Sequence, residues 1–114
     1  MNVILKIVLL LISLQGCSQT HNKTKKNMKV AVWDTYVTKK DGSVMHFDII
    51  APEEIKDTSL IYEYGKEYLK SKDQTGQPLT SKECRFCHVE KAKAQWEDSI
   101  SKNGYFIIEM ENCE

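Results

Sequence analysis

The chain has 114 residues, of which 41% are hydrophobic, and its 16 basic and 16 acidic residues give a formal net charge of zero. Five of the basic residues precede residue 30 and no acidic residue does, which leaves eleven basic against 16 acidic residues, a net charge of −5, in residues 30–114. A domain of about 85 residues has room for one modest core. Because this part is acidic and has no basic stripe, the sequence argues against nucleic acid as a partner.

The first 17 residues resemble a bacterial lipoprotein signal. Lys6 supplies a basic start, residues 7–14 form an apolar run too short to span a bilayer, and a glycine precedes Cys17. We therefore expect residues 1–16 to be a signal peptide and Cys17 to be acylated. The lipid would anchor the protein in the cell envelope, to a membrane facing the periplasm or the outside. The alternatives are an ordinary secretory signal, or a cytoplasmic protein whose translation starts at Met28.

The segment after the signal is polar. Residues 18–29 carry four lysines and no acidic residue. Such a segment buries too little apolar surface to fold, so residues 17–29 are predicted to be the acylated cysteine and a flexible tether. Residues 30–114 then form a single domain.

Local patterns predict six elements in this domain. Residues 29–38 and 44–51 are rich in β-branched and aromatic side chains and flank Asp41-Gly42, the signal of a hairpin. Apolar residues recur at helical spacing from Leu60 to Lys70. The remaining elements are a strand near 83–89, a second helix marked by Ala92, Trp96 and Ile100, and a strand at 105–110.

This order predicts a two-layer α+β domain, in which the elements follow as strand, strand, helix, strand, helix and strand. We expect a mixed sheet with two helices. The aromatic and aliphatic residues predicted to fill the core are Trp33, Phe47, Tyr64, Tyr68, Phe86, Trp96, Phe106 and Ile108.

The strongest chemical signal is the Cys-x-x-Cys-His motif at residues 84–88. Thiolates two residues apart can bind one soft or borderline metal ion, and His88 adds a nitrogen. With Cys113 as a fourth ligand, Cys84, Cys87, His88 and Cys113 form a candidate zinc site.

The same motif allows three other interpretations. It is the attachment sequence of haem c, in which two thiols bind the haem and the histidine binds the iron. Cys84 and Cys87 also suit a redox dithiol. The least specific interpretation is a structural disulfide or inert core thiols.

A second group of polar residues lies on the two hairpin strands. Asp34, His46 and Asp48 interrupt otherwise apolar strands, where an unpaired polar group is costly. The hairpin brings the two stretches opposite each other. The three residues are candidate ligands or an acid/base set, and the alternative is that they pair with one another or with loop backbone to stabilise the fold.

Several blocks together resemble a known family, small bacterial domain-of-unknown-function family two-thousand-and-twenty-four. The blocks are Val-Trp-Asp-Thr-Tyr-Val at 32–37, Met-His-Phe-Asp at 45–48, Tyr-Gly-Lys-Glu-Tyr-Leu at 64–69, Glu-Cys-Arg-Phe-Cys-His at 83–88 and Gly-Tyr-Phe-Ile-Ile-Glu-Met at 104–110. The resemblance spans about residues 28–114 and implies a compact α+β domain with no established activity. Family members usually lack an export signal, which implies a cytoplasmic setting for them and makes metal or thiol chemistry more plausible than covalent haem.

No nucleotide-binding loop, nucleophile elbow or His-Glu-x-x-His motif occurs in the chain. The sequence therefore favours a non-enzymatic binding module, tethered to a membrane, with zinc at the cysteine motif. The alternative is electron transfer or thiol redox chemistry at the same motif, by haem c or by a dithiol.

The anchor is directly testable. If Cys17 is acylated, mass spectrometry will find a lipid mass on it, and the protein will sediment with membranes. The Cys17→Ala variant should then be released from the membrane fraction or remain unprocessed. An unmodified cytoplasmic protein that begins at Met28 would contradict the expectation.

Overall fold

The computed structural model describes residues 27–114, so the predicted signal peptide, Cys17 and most of the tether lie outside the described residues. The elements in chain order are β1 (Lys29–Thr38), β2 (Val44–Pro52), α1 (Thr58–Ser71), β3 (Cys84–Lys91), α2 (Ala94–Asn103) and β4 (Phe106–Glu111). The α+β class and the predicted order of elements are confirmed. In the described part of the chain, neither helix has the length and apolar content needed to cross a membrane.

The four strands form one sheet in the order β3-β1-β2-β4. Each neighbouring pair is antiparallel, so the expected mixed sheet is corrected to an antiparallel one. The reason lies in the strand order, because the β1–β2 hairpin occupies the centre of the sheet. Each of its two strands, β1 and β2, then has one edge left to pair with another strand. β3 pairs with the free edge of β1 and β4 with the free edge of β2, so β3 and β4 are never neighbours.

The two helices pack on opposite faces of this sheet. Side chains alternate between the faces along a strand, and the buried residues of β2 divide accordingly. Phe47 and Ile49 pack in one apolar cluster with Ile61 and Leu69 of α1. Ile50 packs in a second apolar cluster with Trp96 of α2. The domain therefore has three layers, α1, sheet and α2, instead of the expected two. We call the two surfaces of the sheet the α1 face and the α2 face.

The ends of the helices follow from local chemistry. Asp57 caps α1, since its carboxylate accepts a hydrogen bond from the backbone N–H of Ser59 at 3.0 Å. Gly104 ends α2 in the left-handed conformation, with φ 95°, and its N–H donates to the carbonyl of Ile100.

Of the eight residues predicted to fill the core, three are buried, four are partly buried and one is exposed. Phe47, Tyr68 and Trp96 are buried as expected. Phe86 is 54% exposed, so its assignment to the core was wrong. It lies on the edge strand β3, where it packs edge-to-face on Trp33 and leaves most of its ring in solvent.

The hairpin turn is the one predicted. Asp41 accepts hydrogen bonds from the N–H and the hydroxyl of Ser43, and Gly42 has φ 93°. A Cβ at Gly42 would meet no atom within 4 Å, so a side chain there is opposed only by the backbone conformation. β-branched residues are strained at positive φ, whereas Asn tolerates it.

The turn gives the first prediction from the structure. Gly42→Val should lower the free energy of unfolding by about 1–2 kcal/mol, because Val is strained in the left-handed conformation. Gly42→Asn is the control and should cost clearly less. Urea unfolding of both variants checks the prediction, and equal losses would contradict it.

Candidate functional site

The central hairpin brings Asp34, His46 and Asp48 together on the α2 face. β1 and β2 pair so that Asp34 lies opposite Asp48 and Tyr36 lies opposite His46. These residues share a face because they are an even number of positions apart along each strand. We call Asp34, His46 and Asp48 the carboxylate–histidine cluster.

The three side chains are close enough to share one ion. Each offers a ligand atom, and these atoms lie within 4.8 Å of one another. Among residues 27–114 this is the one group of three or more His, Cys, Asp or Glu side chains with such spacing. His46 Nε2 lies 2.7 Å from Asp34 Oδ1, and the side chains of His46 and Asp34 are 18% and 40% exposed. The cluster is therefore half-buried and still open to solvent.

Tyr36 completes the surroundings of His46. Its ring stacks on the imidazole with centroids 4.1 Å apart and an angle of 12° between the planes. The stacking fixes the plane of the imidazole, and the contact between Nε2 and Asp34 Oδ1 fixes which edge of the ring faces the carboxylate. Sequence analysis missed Tyr36, although its position opposite His46 in the hairpin register could have identified it.

The electrostatics of the cluster centre on Asp48. Burial, a hydrogen bond with Asp34 and the charge of Asp34 raise the pKa of Asp48 to about 6, while His46 and His88 act in the opposite direction. Two carboxylates face each other across the strands, and like charges in that position repel. The cluster thus favours a proton or another cation between its two carboxylates.

The cysteine motif lies on β3 and contains a β-bulge. Val32 of β1 pairs with His88 and Trp33 pairs with Phe86, so Cys87 is the extra residue without a partner. A bulge shifts the alternation of side chains along its strand. Cys84 points into the core, where it is 2% exposed, whereas Cys87 is exposed at the sheet edge. In a regular strand Cys84 and His88 would share a face, and the bulge places them on opposite faces.

The remaining predicted ligands are also divided. Cys84 and Cys113 both belong to the buried cluster under α1. His88 faces the other side of the sheet, where its side chain is 50% exposed. The structure does not bring Cys84, Cys87, His88 and Cys113 together as one ligand set. Zinc, haem c and a redox dithiol at this motif stay predictions.

The buried thiols have hydrophobic and hydrogen-bonded surroundings. Burial raises the pKa of the Cys84 thiol, against which a hydrogen bond with Thr35 acts. Cys113 Sγ lies 3.3 Å from the carbonyl oxygen of His46, to which it donates. Both thiols are buried in the core, which is the environment of inert cysteines.

A different arrangement surrounds Cys87. His88 Nδ1 lies 3.2 Å from Cys87 Sγ, and His88 Nε2 lies 2.8 Å from Glu90 Oε2. Sequence analysis singled out Cys87 and His88 but not Glu90. The signal was available, because residues two apart on a strand share a face.

The larger clefts lie elsewhere. One of about 630 Å³ is bounded by α1 and the loop of residues 75–80. A second, of about 670 Å³, is bounded by Lys72 and residues 109–114. A smaller one of about 230 Å³ lies beside Trp33 and Phe86. The carboxylate–histidine cluster is instead on the sheet surface, which suits an ion better than an enclosed organic ligand.

The fold and the sequence together identify the family. Residues 28–110 match the family model described as "Domain of unknown function (DUF2024)". The chain belongs to this family. The matched DUF2024 region contains both the carboxylate–histidine cluster and the cysteine motif.

One solved structure is similar to this DUF2024 domain. It is the NMR structure of protein NE1680 from Nitrosomonas europaea, which is 46% identical, with a TM-score of 0.67, and covers 76% of this chain and 100% of its own. No curated protein matches the chain. The family description assigns no activity, and it is the geometry of the site that bears on function.

The raised pKa of Asp48 predicts a pH-dependent stability. Folding favours the protonated form of the Asp48 carboxyl, so protonated Asp48 adds to the free energy of unfolding. This stabilisation is fully present below the ordinary carboxyl pKa of about 3.9 and is lost as the pH rises through about 6. Asp48→Asn stays neutral throughout. In the presence of a chelator at pH 7.5, the free energy of unfolding of Asp48→Asn should exceed that of the wild type by about 1 kcal/mol. The difference is smaller than the raised pKa of Asp48 alone would give, because Asp48 is partly exposed and solvent screens its charge.

Urea unfolding between pH 4 and pH 7.5 measures this difference, which should shrink towards zero at about pH 4. Asp98→Asn is a matched control, because Asp98 is exposed on α2 with only Lys102 within 4 Å as an ion-pair partner. Its effect should be small at every pH. A difference for Asp48→Asn that does not change with pH would contradict the prediction.

Proposed function

We propose that this domain is a binding module that takes up one divalent transition-metal ion, zinc above all, at the carboxylate–histidine cluster. The observation that carries the proposal is the spacing of one imidazole nitrogen and two carboxylates, whose ligand atoms lie within 4.8 Å of one another. We also propose that a lipid on Cys17 tethers the module to an envelope membrane. Support for the tether comes from the signal-like pattern of residues 1–17.

Electrostatics favour a cation at this position. Asp34 and Asp48 are cross-strand partners, and half-burial weakens the screening of their repulsion by water and salt. A divalent ion between the carboxylates would replace this repulsion with attraction. The energy gained is greatest when both groups are ionised, so the affinity should rise with pH.

The ligand types favour a borderline metal over Ca²⁺ or Mg²⁺. Zinc accepts histidine nitrogen and carboxylate oxygen, whereas calcium and magnesium prefer oxygen ligands alone. Three protein ligands leave a coordination position for water or for a donor from a partner. All three residues lie on two paired central strands, which hold ligands more precisely than loops do.

Zinc at the cysteine motif is the weaker candidate. It requires Cys84 to leave the core, where it is 2% exposed, and to reach a surface on which Cys87 and His88 lie. Burial also raises the pKa of Cys84, which opposes formation of the thiolate that binds zinc.

Zinc titration of the purified protein by calorimetry tests the proposal. We expect one equivalent to bind to the wild type. Asp34→Asn and His46→Gln should each weaken zinc binding at least about tenfold, because each removes a ligand. Asp98→Asn should bind zinc like the wild type, since Asp98 lies on exposed α2 outside the cluster.

Cys87→Ser separates the two candidate sites. If the cluster is the site, this variant will bind zinc with unchanged affinity. Loss of binding in Cys87→Ser with retention in His46→Gln would move the metal to the cysteine motif. A wild type that binds no zinc would overturn the proposed function.

A further inference from the structure

Cys87, His88 and Glu90 form a chain of contacts at the edge of the sheet. None of the three belongs to the carboxylate–histidine cluster. Cys87 is exposed, its Sγ lies 3.2 Å from His88 Nδ1, and His88 Nε2 lies 2.8 Å from Glu90 Oε2. The imidazole thus bridges a thiol and a carboxylate. In this arrangement the thiol can act as a nucleophile, the imidazole can accept its proton as a base, and the carboxylate orients the imidazole.

The β-bulge creates this geometry. In a regular strand, neighbouring residues point to opposite faces, so Cys87 and His88 would be separated by the sheet. The extra residue between the pairs Val32–His88 and Trp33–Phe86 re-aims the Cys87 side chain. Glu90 lies two positions beyond His88 and shares its face.

We propose that Cys87, His88 and Glu90 form a thiol-exchange site whose substrates are small disulfides. In the reaction, Cys87 Sγ attacks one sulfur of the disulfide, a new S–S bond forms to Cys87 and the old S–S bond breaks. His88 accepts the thiol proton and returns it to the departing thiolate, so one disulfide and one thiol give one mixed disulfide and one thiol. No further oxidant or reductant takes part.

Two observations select this chemistry. Cys87 is exposed on an edge strand, and disulfide exchange needs access and a thiolate but no pocket for a tetrahedral intermediate. Cys84 and Cys113 are buried, at 2% and 6% exposure, so neither is placed to displace the newly attached thiol. The product is therefore a mixed disulfide that persists on Cys87, and the site acts as a single-thiol acceptor.

The test uses full-length protein with Cys17→Ser as the common background, in a chelator, so that neither Cys17 nor a metal contributes. Dithiodipyridine serves as the disulfide, and the release of its thione is followed by absorbance at pH 7. We expect one fast phase, with the adduct located on Cys87 by mass spectrometry. Cys87→Ser should abolish the fast phase, and His88→Gln should slow it about tenfold through loss of the base.

Two further variants make the result specific. Glu90→Gln retains the imidazole and should slow the fast phase about threefold, since the base loses its orienting carboxylate. Lys91→Gln, an exposed change on the same strand, should leave the rate unchanged. Circular dichroism establishes that each variant is folded. Equal rates in His88→Gln and the background protein, or a first adduct on Cys84 or Cys113, would overturn the proposal.

Discussion

The register of the β1–β2 hairpin is the constraint on which the rest of this domain depends. Pairing Asp34 with Asp48 places Phe47 and Ile49 on the α1 face and His46 and Asp48 on the α2 face. A slip of one residue would exchange the faces, with apolar groups in solvent and carboxylates in the core. The cost of burying those charges makes the register strongly specified, and the same register assembles the carboxylate–histidine cluster.

The cluster remains open because α2 covers only part of its face. This helix has ten residues. Its buried side chains Trp96 and Ile100 pack with three strand residues, Val30, Val32 and Ile50. These strand residues lie at the end of the hairpin away from its turn. Tyr36 and Val44, nearer the turn, are 48% and 44% exposed. The α2 face thus has an apolar half that stabilises the fold and a polar half available for binding.

Features that depend on local sequence were predictable, and features that depend on distant pairing were not. Asp41-Gly42 identified the turn, and counting outward from it placed Asp34 opposite the His46–Asp48 stretch. The bulge at Cys87 arises only when β3 pairs with β1, more than fifty residues earlier in the chain. The bulge places His88 on the face opposite Cys84, and the edge position of β3 leaves Phe86 exposed. The four-ligand cysteine site and the buried Phe86 therefore could not be judged from spacing alone. The strand order and the face taken by α2 likewise depend on contacts between distant segments.

Zinc titration followed by NMR is the most direct test of the central claim, that the hairpin register creates a metal site on the α2 face. We expect zinc to shift the His46 ring signals and the amide signals of Asp34 and Asp48 at one equivalent. The amides of residues 84–88 should change little. Shifts confined to residues 84–88, or no shifts at all, would show that the hairpin does not hold the metal.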